Sequence, residues 1–102
     1  MIRRLNFPQA KALLDARPDA VLLDVREEEE YITGHAAGAQ LLPVDELTDE
    51  AALDLIPTYE TPVLVYCRSG FRSAIAAVKL DELGYVTIYD IGGLVGWPYG
   101  LV

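Results

Sequence analysis

Cys67 is the one cysteine of the chain, and it stands in Cys67-Arg68-Ser69-Gly70-Phe71-Arg72-Ser73. A thiol, two guanidinium groups and a glycine thus fall in one short segment. The residues before it, Pro62-Val63-Leu64-Val65-Tyr66, are apolar and β-branched and read as a buried strand. Those after it, Ala74-Ile75-Ala76-Ala77-Val78-Lys79-Leu80, read as part of a helix over about 73–83. The cysteine therefore belongs at a strand-to-helix turn. A helix N-terminus offers unpaired N–H groups and a partial positive charge, and both favour the nucleophilic thiolate. A free thiol titrates near 8.5, so holding it at about 7 requires roughly 2 kcal/mol of preference for the anion. Convergent loop N–H groups form an anion nest that can supply this, with Arg68 or Arg72 adding charge.

Each residue of the loop has an expected part. Gly70 lets the backbone take a turn that other residues resist. Arg68 directly follows the nucleophile and is placed at the mouth, whereas Arg72 braces the loop. Phe71 shapes the pocket rim or a docking face. Arg68, Ser69, Gly70, Phe71, Arg72 and Ser73 together are the candidate substrate-binding residues, with Cys67 the candidate catalytic residue. Blander readings stand beside these. Free cysteines are among the most buried residues, so Cys67 can be an inert core thiol. Arg68 and Arg72 can be surface residues paired with carboxylates. Asp24 and Arg26 end another apolar run, where a capping bond from Asp24 and an Arg26–Glu30 ion pair compete with direct chemistry. His35 is better suited to structural hydrogen bonding than to proton transfer. Tyr31, Tyr66 and Trp97 suit packing.

The elements that must hold this loop alternate. Ile2 to Leu5 suits a short strand, and Pro8 suits the first turn of a helix carrying Ala10, Leu13 and Leu14 at helical spacing. Ala20 to Val25 is a continuous apolar run, the mark of a strand covered on both faces. Glu27 to Thr33 reads as a short helix stopped by Gly34, and Ala39 to Leu42 as a strand ended by Pro43. Asp45 to Leu55 reads as one helix with Leu47, Ala51 and Leu55 four apart. After the helix at 73–83, Gly84 is a stop and Val86-Thr87-Ile88-Tyr89 a further strand. Asp90 to Pro98 reads as a glycine-rich turn and a last short helix. Alternating strands and helices predict an α/β fold with a mostly parallel sheet and helices on both faces. Ligands of such folds sit beyond the carboxyl ends of the strands, where Cys67 falls.

Composition narrows the field. One hundred and two residues suit a single domain, 1–102. The net charge of −8 argues against nucleic acid and anionic membranes as partners. No apolar run approaches the roughly 20 residues of a membrane span, and the start lacks the pattern of a secretory signal, so a cytoplasmic protein is expected. A lone cysteine excludes an internal disulfide, and with one histidine far away in sequence a metal site is not expected.

The arrangement resembles the rhodanese family, specifically its small single-domain members. Three ordered segments carry the resemblance. Leu23-Asp24-Val25-Arg26-Glu27, continuing through Glu30-Tyr31-Ile32-Thr33-Gly34-His35-Ala36-Ala37-Gly38-Ala39, is similar to the family's N-terminal signature, except that two alanines occupy positions 36–37 where a proline is common. Val65 to Ser73 is similar to its active loop, and Ile91-Gly92-Gly93 with Trp97 to its C-terminal signature. The resemblance implies a five-stranded sheet flanked by helices. It implies sulfurtransfer: Cys67 takes a sulfane sulfur from thiosulfate or a related donor, becomes a persulfide, and yields the sulfur to a thiol or cyanide. No cofactor is implied. A persulfide carrier serving a protein acceptor is the alternative, and a purely regulatory domain is disfavoured by the intact cysteine. Cysteine-dependent phosphatases need five residues between cysteine and arginine, whereas Cys67 and Arg72 bracket four. The shorter loop makes a pocket suited to one sulfur atom.

Overall fold

The computed structural model describes residues Met1–Val102. Strand β1 (Ile2–Arg4) leads to helix α1 (Phe7–Ala16), β2 (Val21–Asp24), α2 (Glu28–Thr33) and β3 (Gln40–Leu41). A single 3-10 turn (Val44–Glu46) precedes α3 (Asp49–Leu55), then come β4 (Val63–Cys67), α4 (Phe71–Leu83) and β5 (Ile88–Gly93). The five strands are all parallel, in the order β1-β5-β4-β2-β3. β4 is therefore central, and its last residue is Cys67.

Alternation along β2 and β4 divides the interior. Val21, Leu23, Val63, Val65 and Cys67 face one core with Ala52 and Ile56 of the α3 region and Ala76, Ala77 and Leu80 of α4. Leu22, Leu64, Tyr66 and Ile91 face the other, with Ala10 of α1. Every residue of β4 is buried, which is why its sequence is an unbroken apolar run rather than an alternation. Each buried Val or Leu contributes roughly 1.5–3 kcal/mol relative to exposure, so this strand is firmly held.

The helix starts are chemically marked. Asn6 accepts from Gln9 N at 2.9 Å while Asn6 N donates to the Gln9 side chain at 3.0 Å, a reciprocal cap for α1. Thr48 Oγ1 accepts from Ala51 N and opens α3. That cap explains one correction: the expected helix over 45–55 is split, because Thr48 has extended backbone and starts a new helix after the 3-10 turn. A second correction concerns the last short helix, which is absent. The strand expected at 86–89 instead runs from Ile88 through Gly93, and residues beyond it form turns. Gly92, Gly96 and Gly100 all take positive φ there, a conformation that no helix contains.

Strand β5 carries a bulge. Val65 opposes Asp90 but Tyr66 opposes Gly92, so Ile91 is skipped. Asp90 accepts from Gly92 N at 2.8 Å and fixes this kink. The result sets Gly93 beside Cys67, where the loop after β4 crosses closest. No helix is long and apolar enough to cross a membrane.

Candidate active site

The loop between β4 and α4 forms because β4 runs out at Cys67 and Gly70 turns the chain. Gly70 has φ of 98°, in the left-handed region, and serves as the N-cap of α4. This turn brings Gly70 N to 2.9 Å from Cys67 Sγ, and the amide donates to the sulfur. Ser73, buried in α4, donates its hydroxyl to Gly70 O at 3.1 Å and locks the turn from below. The amides of Arg68, Ser69, Phe71, Arg72 and Ser73 have no acceptor within the protein. One loop N–H thus engages the sulfur directly, and five others in the same segment are left without a partner. Of the ring of donors expected around Sγ, the structure shows one, the Gly70 amide.

Cys67 itself has no exposed surface. Its side chain touches the core shared with α4, yet the Gly70 amide keeps it from lying against hydrocarbon alone. Its carbonyl accepts from Leu94 N at 2.9 Å, tying the loop to the turn after β5. Gly93 permits that approach. A Cβ there would stand 2.5 Å from Arg68 O and 3.0 Å from Ser69 Cα.

The two loop arginines have parted company. Arg72 makes a bidentate pair with Glu30 of α2, at 2.6 and 2.9 Å. The pair holds Glu30 down at about 2 against an ordinary 4.5, and raises Arg72 in turn. The guanidinium fork of Arg72 is thus taken up by Glu30. Arg68 is exposed and makes no ion pair or hydrogen bond. Phe71 is 75% exposed at the rim.

Asp24 and Arg26 form a buried network. Arg26 Nε and Nη2 reach Asp24 at 2.6–3.0 Å, and Arg26 Nη2 also donates to Gly34 O at 2.7 Å. Tyr66 OH donates to Asp24 Oδ2 at 2.7 Å and accepts from Ala36 N at 3.2 Å. Burial, then the Asp24 bond, raises the Tyr66 hydroxyl far above its ordinary value, so it stays protonated. The expected Arg26–Glu30 pair does not form, because Asp24 takes Arg26 and Arg72 takes Glu30. His35 stacks on Tyr31 at 3.7 Å between centroids, and its Nδ1 lies 2.9 Å from Tyr31 O, a structural setting. No group of three His, Cys, Asp or Glu comes together as a metal site.

Sequence reasoning missed the two links that cross between elements, Arg72–Glu30 and Tyr66–Asp24. Both join residues 42 apart in sequence. Only the strand order, with β2 beside β4, brings them together. A signal was available for the second: Asp24 and Tyr66 each end an apolar run.

The rhodanese-like domain family matches residues 6–98. The chain is 38% identical over 97 residues to the thiosulfate sulfurtransferase GlpE of Tolumonas auensis, covering 94% of this chain and 88% of that protein. It is 35% identical to the probable adenylyltransferase/sulfurtransferase MoeZ of Mycobacterium tuberculosis, covering 82% of this chain but only 21% of that protein. Among solved structures, a rhodanese with anions from E. coli superposes with a TM-score of 0.75 at 32% identity, over 81% of this chain and 96% of that one. The family match spans nearly the whole fold, and the chain belongs to the rhodanese-like domain family, with relatives named as sulfurtransferases.

Proposed function

We propose that Cys67 is the nucleophile and carries the transferred sulfur as a persulfide. The carrying observation is the Gly70 amide on Cys67 Sγ at 2.9 Å, inside a loop whose other amides lack partners. Such donors stabilise anionic sulfur without reorganising. In the first step the Cys67 thiolate attacks the sulfane sulfur of thiosulfate. The sulfur–sulfur bond of the donor breaks, sulfite leaves with the electron pair, and the enzyme holds Cys–S–S⁻. In the second step a thiolate or cyanide attacks the outer sulfur, and Cys67 leaves as the thiolate. Both steps balance without a metal or redox cofactor.

The loop divides the work. The amides of Ser69 to Ser73 hold anionic sulfur, Gly70 sets their direction, and Ser73 OH fixes Gly70. Arg68 supplies charge for a dianionic donor at the mouth. Arg72 positions the loop through Glu30 and does not clamp substrate, which also speaks against phosphate-ester chemistry. GlpE, a relative of similar length named for thiosulfate, supports thiosulfate as donor.

A second reading has one supporting observation. Phe71 projects from the loop rim with 75% of its surface exposed, a position that suits docking of a protein acceptor. MoeZ, in which the matching region is about a fifth of a longer protein, is consistent with such use. Donor profiling separates the readings. Mixing the protein with thiosulfate should add one sulfur mass to the chain and none to Cys67→Ser, and cyanide should then remove it as thiocyanate. Unaltered turnover by Cys67→Ser would overturn the assignment. Sulfur loading only from a protein persulfide would favour the carrier.

A further inference from the structure

Asp90 is a carboxylate inside an interior strand. β5 lies between β1 and β4, and Asp90 is 3% exposed. Aspartate is depleted in strands, and a carboxylate is seldom buried unless something holds it. Little does so here. Oδ1 accepts from Gly92 N at 2.8 Å, and Oδ2 meets only the Arg4 guanidinium, 3.7 Å away on β1. The sulfur chemistry proposed above makes no direct use of this group.

The bond to Gly92 acts on the backbone. Asp side chains hold their own chain two residues on, and this one does so within a strand. Gly92 takes φ of 83°, Ile91 drops out of the pairing with β4, and Gly93 comes opposite Cys67. The Gly92–Gly93 backbone then lies against the loop. A Cβ on Gly70 would stand 3.7 Å from Gly92 Cα and 3.8 Å from Gly93 N. One on Gly93 would meet Arg68 O at 2.5 Å. Leu94, the next residue, donates to Cys67 O. Gly70, whose amide donates to Sγ, thus rests on backbone whose path Asp90 sets.

We propose that Asp90 is a positioning residue: its bond to Gly92 holds the bulge that keeps the Gly70 amide on Cys67 Sγ. The inference rests on Cys67 reacting as a thiolate. It also has a sign of its own. A carboxylate acting on a thiol as a charge opposes ionisation, so removing it would favour the thiolate. Acting through the backbone, its removal costs the sulfur an N–H donor, and the thiolate is disfavoured.

The test follows ionisation of Cys67 by the ultraviolet absorbance of the thiolate against pH, with the Cys67→Ser counterpart of each protein as baseline. Arg68, and Arg72 with its partner Glu30, remain in every variant. Asp90→Ala removes the acceptor and should raise the midpoint by about one pH unit, a tenfold loss of thiolate equivalent to about 1.4 kcal/mol. Asp90→Asn keeps an oxygen for Gly92 N and should stay near the wild type. Asp90→Val removes the acceptor with a strand-favouring side chain, and should show the same rise where the alanine variant does not fold. A midpoint unmoved or lowered in the variants without an acceptor would overturn the proposal. Equal movement in Asp90→Asn would overturn it as well, since the charge and not the bond would then be at work. Persulfide formation is read separately, from the mass of the wild type after thiosulfate. Absence of the added sulfur would overturn that reading, while the order of the midpoints still decides this one.

Discussion

The pair that matters most after Cys67 is Arg72–Glu30. It ties the first turn of α4 to α2 across the face of the site with two short charge-assisted bonds. Arg72 is the main cause of the low Glu30 value of about 2, with burial opposing it. A carboxylate held below its unfolded value contributes stability above about 4.5, and loses that contribution as pH falls through about 2. Both groups are about a quarter exposed, so the pair is worth on the order of 1–2 kcal/mol, less than a dry one. Glu30→Gln should therefore be less stable than the wild type by about that amount at neutral pH. Urea denaturation across an acid series should show the difference shrinking between about 4.5 and 2. A difference that stays constant with pH would mean that the carboxylate charge is not what Arg72 uses.

At the scale of elements, the site is made by a strand end, a helix start and a neighbouring glycine. The glycine carries the sharpest expectation. A Cβ at Gly93 would stand 2.5 Å from Arg68 O, a backbone atom with no easy retreat, whereas one at Gly38 meets nothing within 4 Å. Gly93→Ala should destabilise the fold by about 2–3 kcal/mol through overpacking and slow sulfur loading, because relief requires moving the loop. Gly38→Ala, strained only by its positive φ, should lose about 1 kcal/mol and load normally. Equal effects in thermal unfolding would remove the close approach as the reason for Gly93. The same elements show what the sequence discloses. Apolar runs at 21–23 and 63–67 announced buried parallel strands, and the Gly70 turn between strand and helix located the loop. The split at Thr48 and the missing last helix were hidden because apolar spacing alone outvoted a cap and three glycines. That Arg68 and Arg72 have different surroundings was legible from their positions, but the partner of Arg72 was not. Glu30 is reached only through the placement of β2 beside β4, a matter of long-range pairing and not of local pattern.

At long range the net charge of the whole molecule opposes the proposed donor. The molecule spans 31 × 29 × 21 Å and carries a net charge of −8. Thiosulfate, the donor proposed above, is a dianion, so the distant acidic field repels it, and under that proposal the loop amides and Arg68 supply the local attraction. The two influences differ in reach. At about 10 mM salt the screening length is about 30 Å, and the full acidic surface is felt. At about 0.1 M it is about 10 Å, and the groups near Cys67 dominate. Raising the salt over this interval should therefore increase kcat/KM for thiosulfate, with the gain residing in the sulfur-loading step. The measurement is the loading rate at fixed pH against ionic strength, with thiosulfate well below saturation. A fall across the same interval would show that the positive field of the loop already governs approach at low salt. The acidic surface would then be electrostatically silent toward the donor, and the arrangement of Arg68 would have to account for capture alone.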